Sequence, residues 1–257
     1  MGPNRTIDLN ADVGEATDGA GIEVERTLLG LVTSVHIACG GHAGDEESMR
    51  ATVGAALDQG VRIGAHPSYP DRAGFGRSPM EIDRDELGRS LTEQLRALES
   101  ICRAAGTAVA SVKAHGALYE EVAKGGAIYE TLRDAVRAGV GERAAMVLPS
   151  GCRAMAMVLR DAVPAFEEGF CDRSYRSDGG LVRRSEPGAV LADPAGAAAQ
   201  ALSLARGAVV ANDGSVLTLW VDTLCIHGDS PGAVAIATAV RLAMDDVGIK
   251  VVAPTRA

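Results

Sequence analysis

Residues Ser34 to His66 read S-V-H-I-A-C-G-G-H-A-G-D-E-E-S-M-R-A-T-V-G-A-A-L-D-Q-G-V-R-I-G-A-H. Ser34–Ala38 is a short, apolar, partly β-branched run with the character of a strand. A Gly-rich turn follows, and Asp45 stands where a helix N-cap belongs. From Glu46 to Gln59 the apolar residues Met49, Val53, Ala56 and Leu57 recur at helical spacing. Gly60 closes that helix, and Val61–Ala65 is again a strand. Strand, helix and strand joined by tight turns make a crossover unit whose two strands run parallel.

The alternation continues on both sides of this unit. Thr6–Asn10 is the first strand, and Asp83–Ala105 is the longest helix, with Leu87, Leu91, Leu95, Leu98 and Ile101 on one stripe. Further strands are expected at Ala108–Val112, Ala144–Leu148 and, with a weaker pattern, Ala165–Glu168. Helices are expected at Ile128–Ala138, Arg153–Asp161 and Pro194–Arg206. Val216–Thr223 and Leu224–Ile226 supply late strand material, a last helix covers Pro231–Val247, and Lys250–Val252 is a short closing strand. About seven such repeats without a shift in composition predict an α/β fold with a parallel sheet, in one domain over residues 1–257. The spacing fits a closed β/α barrel or an open doubly wound sheet, and we favour the barrel.

Apolar residues make up 47 % of the chain but aromatics only 3 %, so the core is built from Ala, Val, Leu and Ile. A net charge of −9 with no basic run argues against nucleic acid or an anionic membrane as partner. No apolar stretch approaches the roughly 18 residues that span a bilayer. The first residues lack the apolar segment of a secretory leader. Five widely spaced cysteines without a C-x-x-C fit free thiols in a reducing cytoplasm.

The chemistry-bearing residues follow the strands directly. They lie in D-L-N-A-D-V-G-E (Asp8–Glu15), A-C-G-G-H-A-G-D (Ala38–Asp45) and G-A-H-P-S-Y-P-D-R-A-G-F-G-R (Gly64–Arg77). Further along come V-K-A-H-G-A-L-Y (Val112–Tyr119), F-C-D-R-S-Y-R-S-D-G-G-L-V-R-R (Phe170–Arg184) and C-I-H-G-D-S-P (Cys225–Pro231). In a parallel barrel these strand ends converge on one mouth, where catalytic groups are found. Asp8, Asp12, His42, His66, Lys113, His115 and His227 are therefore expected there together.

Asp8, Asn10 and Asp12 at alternate positions share one side of a strand, suiting a metal or a polar substrate; loop-capping carboxylates are the alternative. His42 and His66 are candidate metal ligands, with Asp12, or proton carriers. Lys113 and His115 share a face at a strand end, and a lysine pointing into a barrel must be paired or bind an anion. Arg72, Arg77, Asp172 and Arg173, in Gly-containing loops, can hold a carboxylate or phosphate or form surface ion pairs. A Cys225–His227 nucleophile pair is disfavoured because residues two apart on a strand rarely bring sulfur onto an imidazole nitrogen. His36, inside a strand, reads as structural. G-x-x-x-x-G-K-[ST], G-x-S-x-G and H-E-x-x-H are absent, so any site is assembled from several loops.

Those six segments, in that order from about Thr6 to Gly248, resemble the LamB/YcsF family, whose members are also called the A component of 5-oxoprolinase. The resemblance implies a seven-stranded β/α barrel related to the glycoside hydrolase/polysaccharide deacetylase-like folds. It also implies ATP-dependent opening of 5-oxoproline to glutamate, performed with partner subunits B and C. By that resemblance Asp8, Asp12, His42, His66, Lys113 and His115 would be catalytic. Asn10, Arg72, Arg77, Asp172, Arg173 and His227 would bind substrate or phosphate, with ATP as cosubstrate and a divalent metal on Asp12, His42 and His66. The competing readings are a metal-dependent deacetylase and a non-catalytic ligand-binding protein of the same assembly.

Overall fold

In chain order the strands are β1 (Thr6–Val13), β2 (Ser34–Ala38), β3 (Arg62–His66), β4 (Ser111–Val112), β5 (Ala145–Pro149), β6 (Ala165–Phe170), β7 (Ala208–Val210), β8 (Val216–Thr218), β9 (Thr223–His227) and β10 (Lys250–Val251). The helices are α1 (Gly19–Leu29), α2 (Glu46–Asp58), α3 (Arg84–Ala104), α4 (Gly116–Ala123), α5 (Ala127–Gly139), α6 (Ala154–Arg160), α7 (Pro194–Ala205) and α8 (Ala233–Asp246). These elements come from a computed structural model that describes residues 5–230 and 232–254. Residues 1–4, on which the reading of no leader rests, and Pro231, the expected start of the last helix, lie outside the described residues.

The sheet closes through β1. Its residues Asn10–Val13 pair with β2, and Asp8–Asp12 pair with β9 on the other side. The ring runs β1-β2-β3-β4-β5-β6-β9 and back to β1, every pair parallel. The α/β expectation is met by the closed seven-stranded barrel, not the open sheet. β10 adds outside the ring, pairing Lys250 and Val251 with Thr6 and Ile7.

Local signals set the helices. Asp45 caps α2 in a reciprocal box with Ser48, and Asp83 and Asp193 cap α3 and α7. The stripe Leu87, Leu91, Leu95, Leu98 and Ile101 is buried, and α3 packs on α5, while the Ala-rich α7 packs on α8. Each fully buried leucine contributes about 1.5–3 kcal/mol. No helix among the described residues is long and apolar enough to cross a membrane.

Several elements depart from the sequence pattern. α1 has no clear signature in it, because Gly19 and Gly21 in the first turn mask a helix that Asp18 caps. α4 stands where the pattern suggests only the tail of a strand-end loop, because Gly116 opens it at φ +57°. Val216–Thr223 is not one strand. Its first residues form β8, the antiparallel partner of β7 in a hairpin outside the barrel, and Thr223 opens β9. The reversal between β7 and β8 uses N-D-G, with Gly214 at φ +84°.

One glycine sits mid-strand for a steric reason. A Cβ on Gly64 would lie 2.5 Å from the His36 ring and 2.6 Å from Ser111 Oγ. The missing side chain lets the His36 imidazole reach across β3 to Ser111 Oγ on β4, at 3.2 Å. Gly64→Ala is therefore expected to destabilise the chain by about 1–3 kcal/mol through overpacking. Gly54→Ala, in α2 with nothing within 4 Å of its Cβ, should stabilise by about 0.5–1 kcal/mol. Denaturant unfolding of both variants checks the opposite signs.

Candidate active site

The barrel interior is a stack of polar side chains. Asp8, at the closed end, accepts from Thr33 Oγ1 at 2.7 Å, Ser34 Oγ at 2.6 Å and Thr223 Oγ1 at 2.5 Å. Burial raises its carboxyl above the ordinary value against those three donors. Along β1 its Cα lies about 13 Å from that of Asp12, so it ties the barrel floor and reaches the upper layers through Thr223 Oγ1, which also accepts from Asn10.

The next layers hold Lys113, only 2 % exposed. Its Nζ meets Asp12 Oδ1 at 2.6 Å and Glu168 Oε1 at 3.1 Å, and donates to Asn10 Oδ1 at 3.0 Å and Cys225 Sγ at 3.3 Å. Asn10 Nδ2 donates in turn to Glu168 and Thr223, and Tyr119 OH donates to Glu168 Oε2 at 2.6 Å. Burial alone would lower Lys113, but the Asp12 and Glu168 carboxylates hold it well above its ordinary value. Burial likewise pushes Asp12 up, but His66 and Lys113 outweigh it and keep the carboxyl ionised well below the usual range. Of the two expectations for this lysine, pairing or an anion, the structure shows pairing: the protein itself supplies two carboxylates. Burial also keeps Cys225 a thiol, which removes it as a nucleophile. Asp12, Cys225 and His227 are close enough to share an ion, but the Lys113 ammonium lies against both Asp12 and Cys225.

Beside this pair lies a cluster of Glu15, His42, His66 and His115 whose ligand atoms are within 4.8 Å of one another and could hold a metal. Glu15 Oε1 is 3.0 Å from His42 Nε2, 3.4 Å from His115 Nδ1 and 3.8 Å from His66 Nε2. His66 Nε2 also lies 3.3 Å from Asp12 Oδ2, which links cluster and ion pair. Burial, then neighbouring His66, pushes both His42 and His115 down to about 3, leaving them neutral. For His66 burial is outweighed by Asp12, and its imidazole is raised.

Loop packing builds this cluster. Glu25 on α1 accepts the backbone N–H groups of Gly14, Glu15 and Ala16 at 2.9–3.0 Å, fixing the turn that presents Glu15. Ala117 N donates to Gly76 O, and a Cβ on Gly116 would sit 2.5 Å from that oxygen, so only glycine lets the two loops close.

On the other flank His227 Nδ1 donates to Asp172 at 3.0 Å, and Asp172 also accepts from Ser230 Oγ and the His227 backbone N–H. Burial pushes the Asp172 carboxyl up, but the hydrogen bonds from His227 and Ser230 outweigh it and hold the carboxyl below its ordinary value. His227 stacks on Phe170, and its Nε2 has no hydrogen-bond partner among the described residues. Nearby, the buried Arg173 donates to the carbonyls of Ala189 and Val182 and forms no ion pair among the described residues. The other two arginines are exposed. Arg72 pins the Gly40 and Gly44 carbonyls, and Arg77 shares Asp229 with Arg184 at the rim.

Glu15, Glu168, Tyr119 and Thr223 join the site without having been singled out by sequence reasoning. Glu168 carries the same signal as Lys113, a charge ending an apolar strand, and Glu15 stands inside the first motif. The network predicts a sign reversal. Lys113→Met strands two buried carboxylates and should cost about 3–5 kcal/mol. Glu168→Gln should destabilise the native chain but partly restore the Lys113→Met variant. Unfolding free energies of the two single variants and the double variant check this.

The family model for LamB/YcsF matches residues 7–257. A protein from Methylococcus capsulatus, named as the A component of 5-oxoprolinase, is 46 % identical over 250 residues, covering 97 % of this chain and 96 % of the relative. The crystal structure of a lactam utilization protein from Thermus thermophilus superposes with a TM-score of 0.87 at 34 % identity, covering 96 % of this chain and 99 % of that one. A family 4 carbohydrate esterase from Streptomyces lividans shares the fold alone, with a TM-score of 0.51 at 11 % identity over 96 % of this chain and 92 % of that one. A near-full-length family match, joined to a closed barrel carrying the six motifs at its mouth, makes this chain a member of the LamB/YcsF family.

Proposed function

We propose that this chain is the A component of an ATP-dependent 5-oxoprolinase that works with B and C partner subunits to open 5-oxoproline to glutamate. The observation that carries the reading is the 46 % identity, over nearly all of both chains, to a protein named as the A component of 5-oxoprolinase. A five-membered lactam is a resonance-stabilised amide, so its opening draws on ATP. The lactam oxygen attacks the γ-phosphorus and ADP leaves, giving a phosphorylated imidate. One water adds to the activated carbon and the C–N bond breaks, with the nitrogen taking a proton. A second water then releases phosphate from the resulting acyl phosphate.

Two features of the mouth suit this chemistry. Arg173 is a buried cation pulled below its ordinary value by burial and then by Arg184. With no ion-pair partner among the described residues, it gains most from a substrate carboxylate or phosphate. The Asp172–His227 pair fixes the imidazole so that Nε2 can take a proton from water and return one to the departing nitrogen. Lys113 and Asp12 supply a fixed field beside the reacting centre. G-x-x-x-x-G-K-[ST] is absent, so a nucleotide bound by this chain is not held by a Walker loop.

The test is 5-oxoproline-dependent ATP hydrolysis by the chain alone and with its partner subunits. The isolated chain should show little turnover and the assembly robust turnover. In the assembly, His227→Ala should lower kcat by about 10²–10⁴ with little change in KM. Arg173→Met should act mainly on KM for 5-oxoproline, raising it roughly tenfold or more. Turnover by the single chain at the rate of the assembly contradicts the reading, as do variants within about threefold of the parent. The latter result would favour a non-catalytic binding role.

A further inference from the structure

The cluster beside Lys113 has a geometry that the lactam reading does not require. His66 Nδ1 donates to the Lys113 carbonyl at 2.7 Å, and His115 Nε2 donates to the Phe75 carbonyl at 2.9 Å. Those bonds fix both tautomers. The inner nitrogens, His66 Nε2 and His115 Nδ1, face each other at 3.1 Å, and with both rings neutral each presents a lone pair. Glu15 Oε1 completes a triangle with edges of 3.1, 3.4 and 3.8 Å. Ligands at zinc-like bond lengths of about 2.0–2.1 Å stand about 3.3 Å apart in a tetrahedron. In the same interior Lys113 is matched by Asp12 and Glu168, whereas the Glu15 carboxylate meets only histidines among the described residues.

We infer that Glu15 Oε1, His66 Nε2 and His115 Nδ1 form a three-ligand site for a borderline divalent cation of the zinc class. The fourth coordination position is open to water or a substrate oxygen. This donor set, two imidazoles and one carboxylate, is the kind that suits such an ion.

His42 belongs behind the ligands, not among them. Its ring lies within 5° of parallel to His115 with centroids 3.7 Å apart. An ion in the plane of the His115 ring therefore stands well out of the His42 plane, where a ring nitrogen has no lone pair. His42 instead reaches Glu15 Oε1 from Nε2 and supports the His115 ring by stacking. Phe75 adds a second support. It holds φ +54°, a costly angle for an aromatic residue. That turn brings its carbonyl onto His115 and its ring edge-on to both His42 and His115. Such carbonyl and stacking contacts orient metal-binding histidines.

The competing occupant of the triangle is a proton on His66 Nε2, shared with Asp12. Metal analysis separates the two and does not depend on partner subunits or on the lactam substrate. The purified chain, stripped with a chelator, would be titrated with Zn²⁺ and with Co²⁺ by calorimetry and visible absorption. We expect one ion per chain, intense Co²⁺ bands of low-symmetry four-coordination, and a higher Tm with Zn²⁺. His66→Ala and Glu15→Ala should lose binding by more than 100-fold, whereas His42→Phe, which keeps a stacking ring, should weaken it by about 10–100-fold. A parent chain that takes up no stoichiometric ion would overturn the site. So would undiminished binding by His66→Ala, or His42→Phe as damaging as His66→Ala. If a ligand variant does not fold, the parent stoichiometry and Co²⁺ spectrum still decide.

Discussion

A lysine ammonium inside a closed barrel has no water to solvate it, and the interior is organised around that fact. An unpaired buried charge is prohibitive, so Lys113 is matched by two carboxylates on strands far apart in sequence, Asp12 on β1 and Glu168 on β6. Each carboxylate has further partners: His66 against Asp12, Asn10 and Tyr119 against Glu168. The network ties β1, the residues after β4, and β6 together across the barrel axis. It also sets a strong local field, because the same pair holds Asp12 ionised and biases the neighbouring imidazoles.

The two flanks of this pair differ in kind. On one side Asp172 and His227 make an oriented acid–base pair next to Arg173, a cation lacking its own counter-ion among the described residues. On the other side three histidines and Glu15 crowd into a nearly dry cluster whose tautomers are fixed by backbone carbonyls. The loops that form the cluster close only because Gly116 and Gly76 meet without a Cβ between them. The same economy appears deeper, where Gly64 gives its space to the His36 ring. Positions that look like weak strand formers are thus where side chains cross the barrel.

Much of this is legible in the sequence. The parallel alternation follows from short apolar runs and capped helices, and Asp45, Asp83 and the leucine stripe of α3 stand where the pattern puts them. Closure is not set by local pattern, because the contact that closes the ring joins Asp8–Asp12 to Thr223–His227 across more than two hundred residues. Strand-end residues identify the mouth, but sequence spacing cannot give depth. Asp8 shares a strand face with Asp12 yet serves the floor, and Arg72 and Arg77 share a loop with the site yet staple its rim. Glu168 is hidden because its strand has a faint pattern, and Glu15 because the turn after Val13 breaks the alternation.

The ammonium of Lys113 is satisfied within the protein, and the proposed function sends an incoming anion to Arg173. A crystal structure of the chain soaked at high concentration with 5-oxoproline tests this most directly. The predicted result is a substrate carboxylate on the Arg173 guanidinium, with Lys113 Nζ still between Asp12 and Glu168. A carboxylate bound to Lys113 Nζ, with either acidic partner displaced, would contradict it.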